Sequence, residues 1–105
     1  YAVGNLVFFV GEITLSSRGD MAGNVKIVGW PYTASNTAGE GFLFPVMTSN
    51  VNFTGSRFGL FGDIVDAANY AYCYQNASGA AVTYLTVDNG LTDTSAVYFS
   101  GAYIK

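Results

Sequence analysis

The chain has 105 residues, half of them hydrophobic and only 10% charged, with a net charge of −3; since soluble domains average about a quarter charged residues, this composition implies surface covered by something other than water. The four basic residues Arg18, Lys26, Arg57 and Lys105 form no stripe, which removes the main electrostatic term of nucleic-acid binding. The sequence contains no histidine, so the commonest general base and metal ligand are missing and a Ser-His-Asp or Cys-His arrangement is impossible.

Thirteen glycines, with many Val, Thr, Tyr and Phe residues, divide residues 1–105 into short extended runs. Apolar residues nowhere keep a helical period beyond one or two turns, so the length and pattern describe one all-β domain. The first strand is expected over 3–15. Along it Val7, Phe9, Ile13 and Leu15 fall on one side and Leu6, Phe8 and Val10 on the other, because successive side chains alternate. An antiparallel sheet normally turns one polar face to water. A second apolar face asks for another layer, so Leu6, Phe8 and Val10 are read as an interface with further copies of the chain. The second strand, 24–30, is ended by Pro31, which lacks a donor and pushes Trp30 towards extended geometry.

After a polar connection over 31–40, a strand over 41–53 contains Pro45, which predicts an edge strand or a bulge there. Strands over 57–65, 68–75 and 80–87 follow, with tight turns expected at 54–56 and 76–79. In the 68–75 strand Tyr70, Tyr72 and Tyr74 alternate with Ala71 and Cys73, placing three phenol rings on one face. A second polar connection, 88–95, leads to the last strand at 96–104. Two long crossovers of this kind suit a Greek key or jelly roll, in which strands pass between sheets. The longest apolar run, Leu6 to Val10, is far short of the roughly 20 residues of a membrane helix, and membrane insertion is not expected. No secretion signal opens the chain. It begins at Tyr1 in sequence that is strand-like by Val3, and reads as a fragment whose missing part lies upstream.

Three segments, YAVGNLVFF at the start, VKIVGWPY at 25–32 and VYFSGAYIK at 97–105, occur together in an order that resembles the C-terminal domain of bacteriophage and other viral tail-fibre and tailspike proteins. In that family a GlyAsn pair leads into a long strand, a GlyXaaPro(aromatic) step closes the second, and a SerGlyXaaTyrIle strand finishes the chain. The resemblance implies an antiparallel, jelly-roll-like β-sandwich that forms a homotrimer at the tip of a fibre on the virion. It also implies a partner: a host cell-surface polysaccharide or another surface receptor. Two alternatives stand beside that reading. One is a purely structural module that registers and terminates the trimer; the other is a secreted carbohydrate-binding module.

No catalytic residue is expected. Glu12, Asp20, Glu40, Asp63, Asp66, Asp88 and Asp93 fall mostly in turns or beside glycine, where side-chain to backbone bonding accounts for them. Asp63, Asp66, Asp88, Asn89 and Asp93 would make a calcium site only if two loops met, and they lack EF-hand spacing; no metal or cofactor is expected. ArgGlyAsp at 18–20 matches an integrin-recognition tripeptide, read as turn composition, and the sequons at Asn52 and Asn76 matter only in a secretory pathway. Cys73, the single cysteine, reads as a small core residue. The remaining candidates are aromatic. Tyr70, Tyr72 and Tyr74 are read first as filling a core or a subunit interface, and Trp30 and Tyr32 beside the Pro31 bend as packing at a sheet end, with stacking of these rings on sugars as the second reading.

Overall fold

The computed structural model describes residues 1–17, 19–35, 42–53, 57–77 and 81–105. The expected turn at 54–56, the tip of the one at 76–79, Arg18 of the ArgGlyAsp tripeptide, and Glu40 lie outside the described residues. The chain is all-β and antiparallel. Its strands are β1 (Ala2–Val3), β2 (Leu6–Thr14), β3 (Lys26–Val28), β4 (Phe42–Val51), β5 (Arg57–Ile64), β6 (Tyr70–Ala77), β7 (Thr83–Tyr84) and β8 (Leu91–Ile104), with one four-residue helix, α1 (Val87–Gly90), before β8. They form one curled sheet, a half-barrel with the order β1-β2-β8-β4-β5-β6-β3 and β7 beside β6.

Two departures from the expected strands have local causes. The first strand is split by Gly4 and Asn5. Gly4 has φ +60, as the first central position of a two-residue II′ hairpin requires, and the chain folds back so that Ala2 faces Val7. Pro45 is where an edge was expected: it pairs with Phe61 of β5 alone, and the β4–β8 ladder begins one residue later, at Val46 opposite Phe99, so no ladder donor is lost on its β8 side. The polar segment 88–95 is no long crossover: it forms α1 and the start of β8. Its polar side chains lock a bulge in β4, where Asn50 has φ +56. The Asn50 carbonyl accepts from Ser95 Oγ at 2.6 Å and Thr92 Oγ1 at 3.2 Å, and its amide donates to Thr94 Oγ1 at 3.2 Å.

The inner face is built from phenylalanines laid on glycines. Phe9 stands opposite Gly101, Phe99 opposite Gly11 and Phe44 opposite Gly62. In each pair the ring crosses the empty side of the glycine, and a Cβ there would come within 3.0 Å of ring carbons. The three rings meet Trp30 and Tyr103, with Phe9 to Trp30 at 4.7 Å and Phe9 to Phe44 at 5.1 Å between centroids; edge-on pairs at these distances add to simple area burial. Tyr103 also ties the sheet across its opening. Its hydroxyl accepts from the Tyr32 N–H at 3.3 Å and donates to the Tyr32 carbonyl at 3.0 Å. Cys73 is fully buried in β6, and burial pushes its thiol up to about 11, leaving it protonated and inert at neutral pH.

Candidate functional site: the outer face of the sheet

The aromatic candidates part company once placed. Trp30 is a core residue, 8% exposed, with its indole N–H donating to the Ile27 carbonyl at 3.0 Å. This corrects its inclusion among surface rings: the side chain is wedged between Phe9, Phe44, Phe99 and Tyr103 in the core. Tyr32 is exposed, but the Lys105 ammonium sits 4.1 Å above its ring. Tyr70, Tyr72 and Tyr74 do share the outer face of β6, half-buried, while Ala71, Cys73 and Gln75 turn inward.

Register brings these tyrosines partners that sequence spacing did not reveal. Tyr74 is flanked in the sheet by Phe61 of β5 and Tyr84 of β7. The three rings stack nearly parallel, with centroids 5.2 and 4.7 Å apart and tilts of 12° and 28°. Tyr72 meets Tyr84 edge-on at 5.2 Å. The Lys26 ammonium lies 3.8 Å over Tyr70, a cation–π contact. A hydrogen bond with Tyr84, aided by burial and by the nearby Tyr84, Asp63 and Tyr72, pushes the Tyr74 hydroxyl up to about 12. Much of the ring area in this row is therefore already engaged by neighbouring rings or ammonium groups, leaving edges and hydroxyls towards solvent.

Asp63 is set in the same face, between Leu43 and Tyr72 in register. Its Oδ1 is buried without a hydrogen-bond partner, and burial raises its pKa. The other acids of the calcium reading are dispersed: Asp66 lies between β5 and β6, Asp88 in α1 and Asp93 in β8. Among the described residues no three His, Cys, Asp or Glu side chains gather as a metal site would need.

The other half of the outer face is apolar and open. Leu6, Phe8 and Val10 of β2 are 39%, 37% and 85% exposed. Tyr1 stacks on Phe8 at 5.2 Å. Beyond β8 the band continues through Leu43 and Met47 of β4, 67% and 74% exposed. Between the two runs lies an open groove of about 520 Å³ lined by Val10, Glu12, Pro45, Met47, Tyr98 and Ser100. Among the described residues no ring or ammonium lies against Tyr98, which is 41% exposed. Leu43, Met47 and Tyr98 went unremarked in the sequence, although the alternation that singled out Leu6, Phe8 and Val10 marks them equally. No helix among the described residues is long and apolar enough to cross a membrane. Comparison with protein-family models, curated proteins and solved structures returns no match.

Proposed function

We propose that this chain is a non-catalytic assembly module of the viral tail-fibre tip kind, a subunit that associates as a homotrimer at the virion exterior and closes the fibre end that meets the host. One observation carries this reading: the apolar band running from Leu6, Phe8 and Val10 across β8 to Leu43 and Met47, exposed in the single chain. Contiguous apolar surface of that kind on a chain with 10% charged residues is the property of a contact surface. The number three and the jelly-roll-like sandwich rest on the resemblance described above. Sedimentation at micromolar concentration is expected to give three times the 11.1 kDa chain mass, and Phe8→Asp is expected to dissociate the assembly, since an unpaired charge in a buried interface costs several kcal/mol, roughly. A monomer at that concentration overturns the proposal.

A second reading, attachment to a host-surface polysaccharide, is supported at the groove rather than at the tyrosine row. Tyr98 offers an unstacked ring, with the Glu12 carboxylate and the Ser100 hydroxyl beside it as hydrogen-bonding groups for sugar hydroxyls. Glycan-array binding by the wild-type trimer that disappears in Tyr98→Ala supports it. A silent array leaves the structural module.

A further inference from the structure

Tyr74 and Tyr84 stand directly opposite each other where β6 pairs with β7. Their rings stack with centroids 4.7 Å apart and a tilt of 28°, and a hydrogen bond joins their hydroxyls. Two phenols held together at both the ring and the oxygen have their Cε carbons, the ones next to the hydroxyl-bearing carbon, lying side by side. Those carbons share the unpaired spin when a phenol loses an electron and a proton. The other face of Tyr74 is covered by Phe61 at 5.2 Å, a ring with no hydroxyl. Tyr72 approaches Tyr84 at 5.2 Å and Tyr70 approaches Tyr72 at 5.6 Å, but with interplanar angles of 68° and 79°, so an edge meets a face and the Cε carbons of the two rings are not aligned. No other two phenols stack among the described residues.

We infer that Tyr74 and Tyr84 form an oxidative cross-linking site, at which a one-electron oxidant couples the two phenols into a dityrosine within the chain. Each phenol gives one electron to the oxidant and one proton to water. The two radicals join through a new Cε–Cε bond, and the hydrogens on those carbons move to the ring oxygens as both rings regain aromaticity and their hydroxyls. In sum two C–H bonds give way to one C–C bond, with two electrons passed to the oxidant and two protons to solvent. Partners already held in place react as one molecule, which favours this coupling over collisions between chains. Tyr84 is 40% exposed, so a small oxidant reaches the pair. The chain's single cysteine is buried in β6 and no internal disulfide can form. The tyrosine pair offers a covalent tie of another kind, fixing the two-residue β7 to β6. The site lies within one chain and does not depend on the trimer.

Photo-oxidation of the folded protein with ruthenium tris-bipyridyl tests it, persulfate taking up the two electrons and ending as two sulfates. The expected product has the mass of one chain less two hydrogens, shows the blue fluorescence of dityrosine, and fragments in the mass spectrometer with Tyr74 joined to Tyr84. Its yield per chain should not change when the protein is diluted about tenfold, as an intramolecular step requires. Tyr74→Phe and Tyr84→Phe each keep a ring in the stack while removing a hydroxyl, and each is expected to cut the product at least about tenfold. Tyr70→Phe and Tyr72→Phe should leave it unchanged. In concentrated urea the preference for this pair should vanish, because only the fold aligns the rings. Cross-links solely between chains, a bond mapped to another pair of tyrosines, or the same product in urea overturns the inference.

Discussion

The two faces of the curled sheet solve the same packing problem in opposite ways. Inside, Phe9, Phe44 and Phe99 each face a glycine and spread across it, so this aromatic payload is set by what is absent opposite. Outside, Phe61, Tyr70, Tyr72, Tyr74 and Tyr84 each face another ring or an ammonium group, and that surface is held by what is present. The difference teaches where the chain tolerates change. A ring on glycine has no alternative position, whereas a stacked tyrosine can lose its neighbour and be resolvated.

The sharpest break of the comparison is Phe44→Ala, which is expected to cost about 3–5 kcal/mol because a buried aromatic is deleted and a cavity stays behind; chemical denaturation measures it. Gly62→Ala adds a methyl where the Phe44 ring lies and is expected to cost about 1–3 kcal/mol, as overpacking does. Combining Gly62→Ala with Phe44→Leu should cost less than the sum of the two, since the collision partner has been trimmed; strict additivity would show that the ring-on-glycine contact is not what Gly62 serves. On the outer face Tyr74→Ala is expected to cost no more than about 1 kcal/mol beyond its lost area, the worth of a ring pair, and a loss as large as that of Phe44 would erase the contrast between the faces.

Two titrations sharpen it further. Tyr74 holds its proton up to about 12, above the usual value of roughly 10, so the unfolded chain ionises first and stability should fall as pH rises between those values. Tyr84→Phe removes the hydrogen bond that is the largest cause, and ultraviolet titration should then find Tyr74 ionising lower. Asp63 carries the smallest effect. Its raised pKa means the folded state binds the proton more tightly, so its contribution is fully present below about pH 4, the unfolded value, and is lost as pH rises through the folded value. Asp63→Asn should flatten that part of the stability profile.

Much of this was legible in the residues. The strands around Val7, Phe44, Ile64, Cys73 and Val97 were evident because apolar alternation is local, and the same alternation put Tyr70, Tyr72 and Tyr74 on one face. Gly4 and Asn5 also carried a hairpin signal, a GlyAsn step between apolar runs, but the apolar run across them suggested a single strand. Register was not legible. That Tyr74 meets Phe61 and Tyr84, or that Phe44 meets Gly62, depends on the register of each hairpin, which alternation alone does not set, and that Phe9 meets Gly101 depends on a pairing between the two ends of the chain. The start of β8 was hidden for a related reason: Thr92 and Ser95 look like loop residues until Asn50, from a distant strand, supplies the groups they bond to. Trp30, beside a proline, read as packing at a sheet end, but that Phe9, Phe44, Phe99 and Tyr103 would gather round it depends on register.

The pairing of β2 with β8, from Leu6 opposite Ile104 to Thr14 opposite Ala96, has a consequence for how the molecule comes to exist. The hairpins of β4, β5, β6 and β7 join neighbours in sequence and can zip early, but β2 has to wait for the last strand to be made, and distant pairings of this sort slow folding because the entropy of closing the loop is lost before any contact rewards it. Throughout that wait β2 is a two-sided apolar ribbon with no partner, the kind of segment that seeds aggregation. The longer that interval lasts, the longer this ribbon stays exposed to pairing with another chain before the sheet closes.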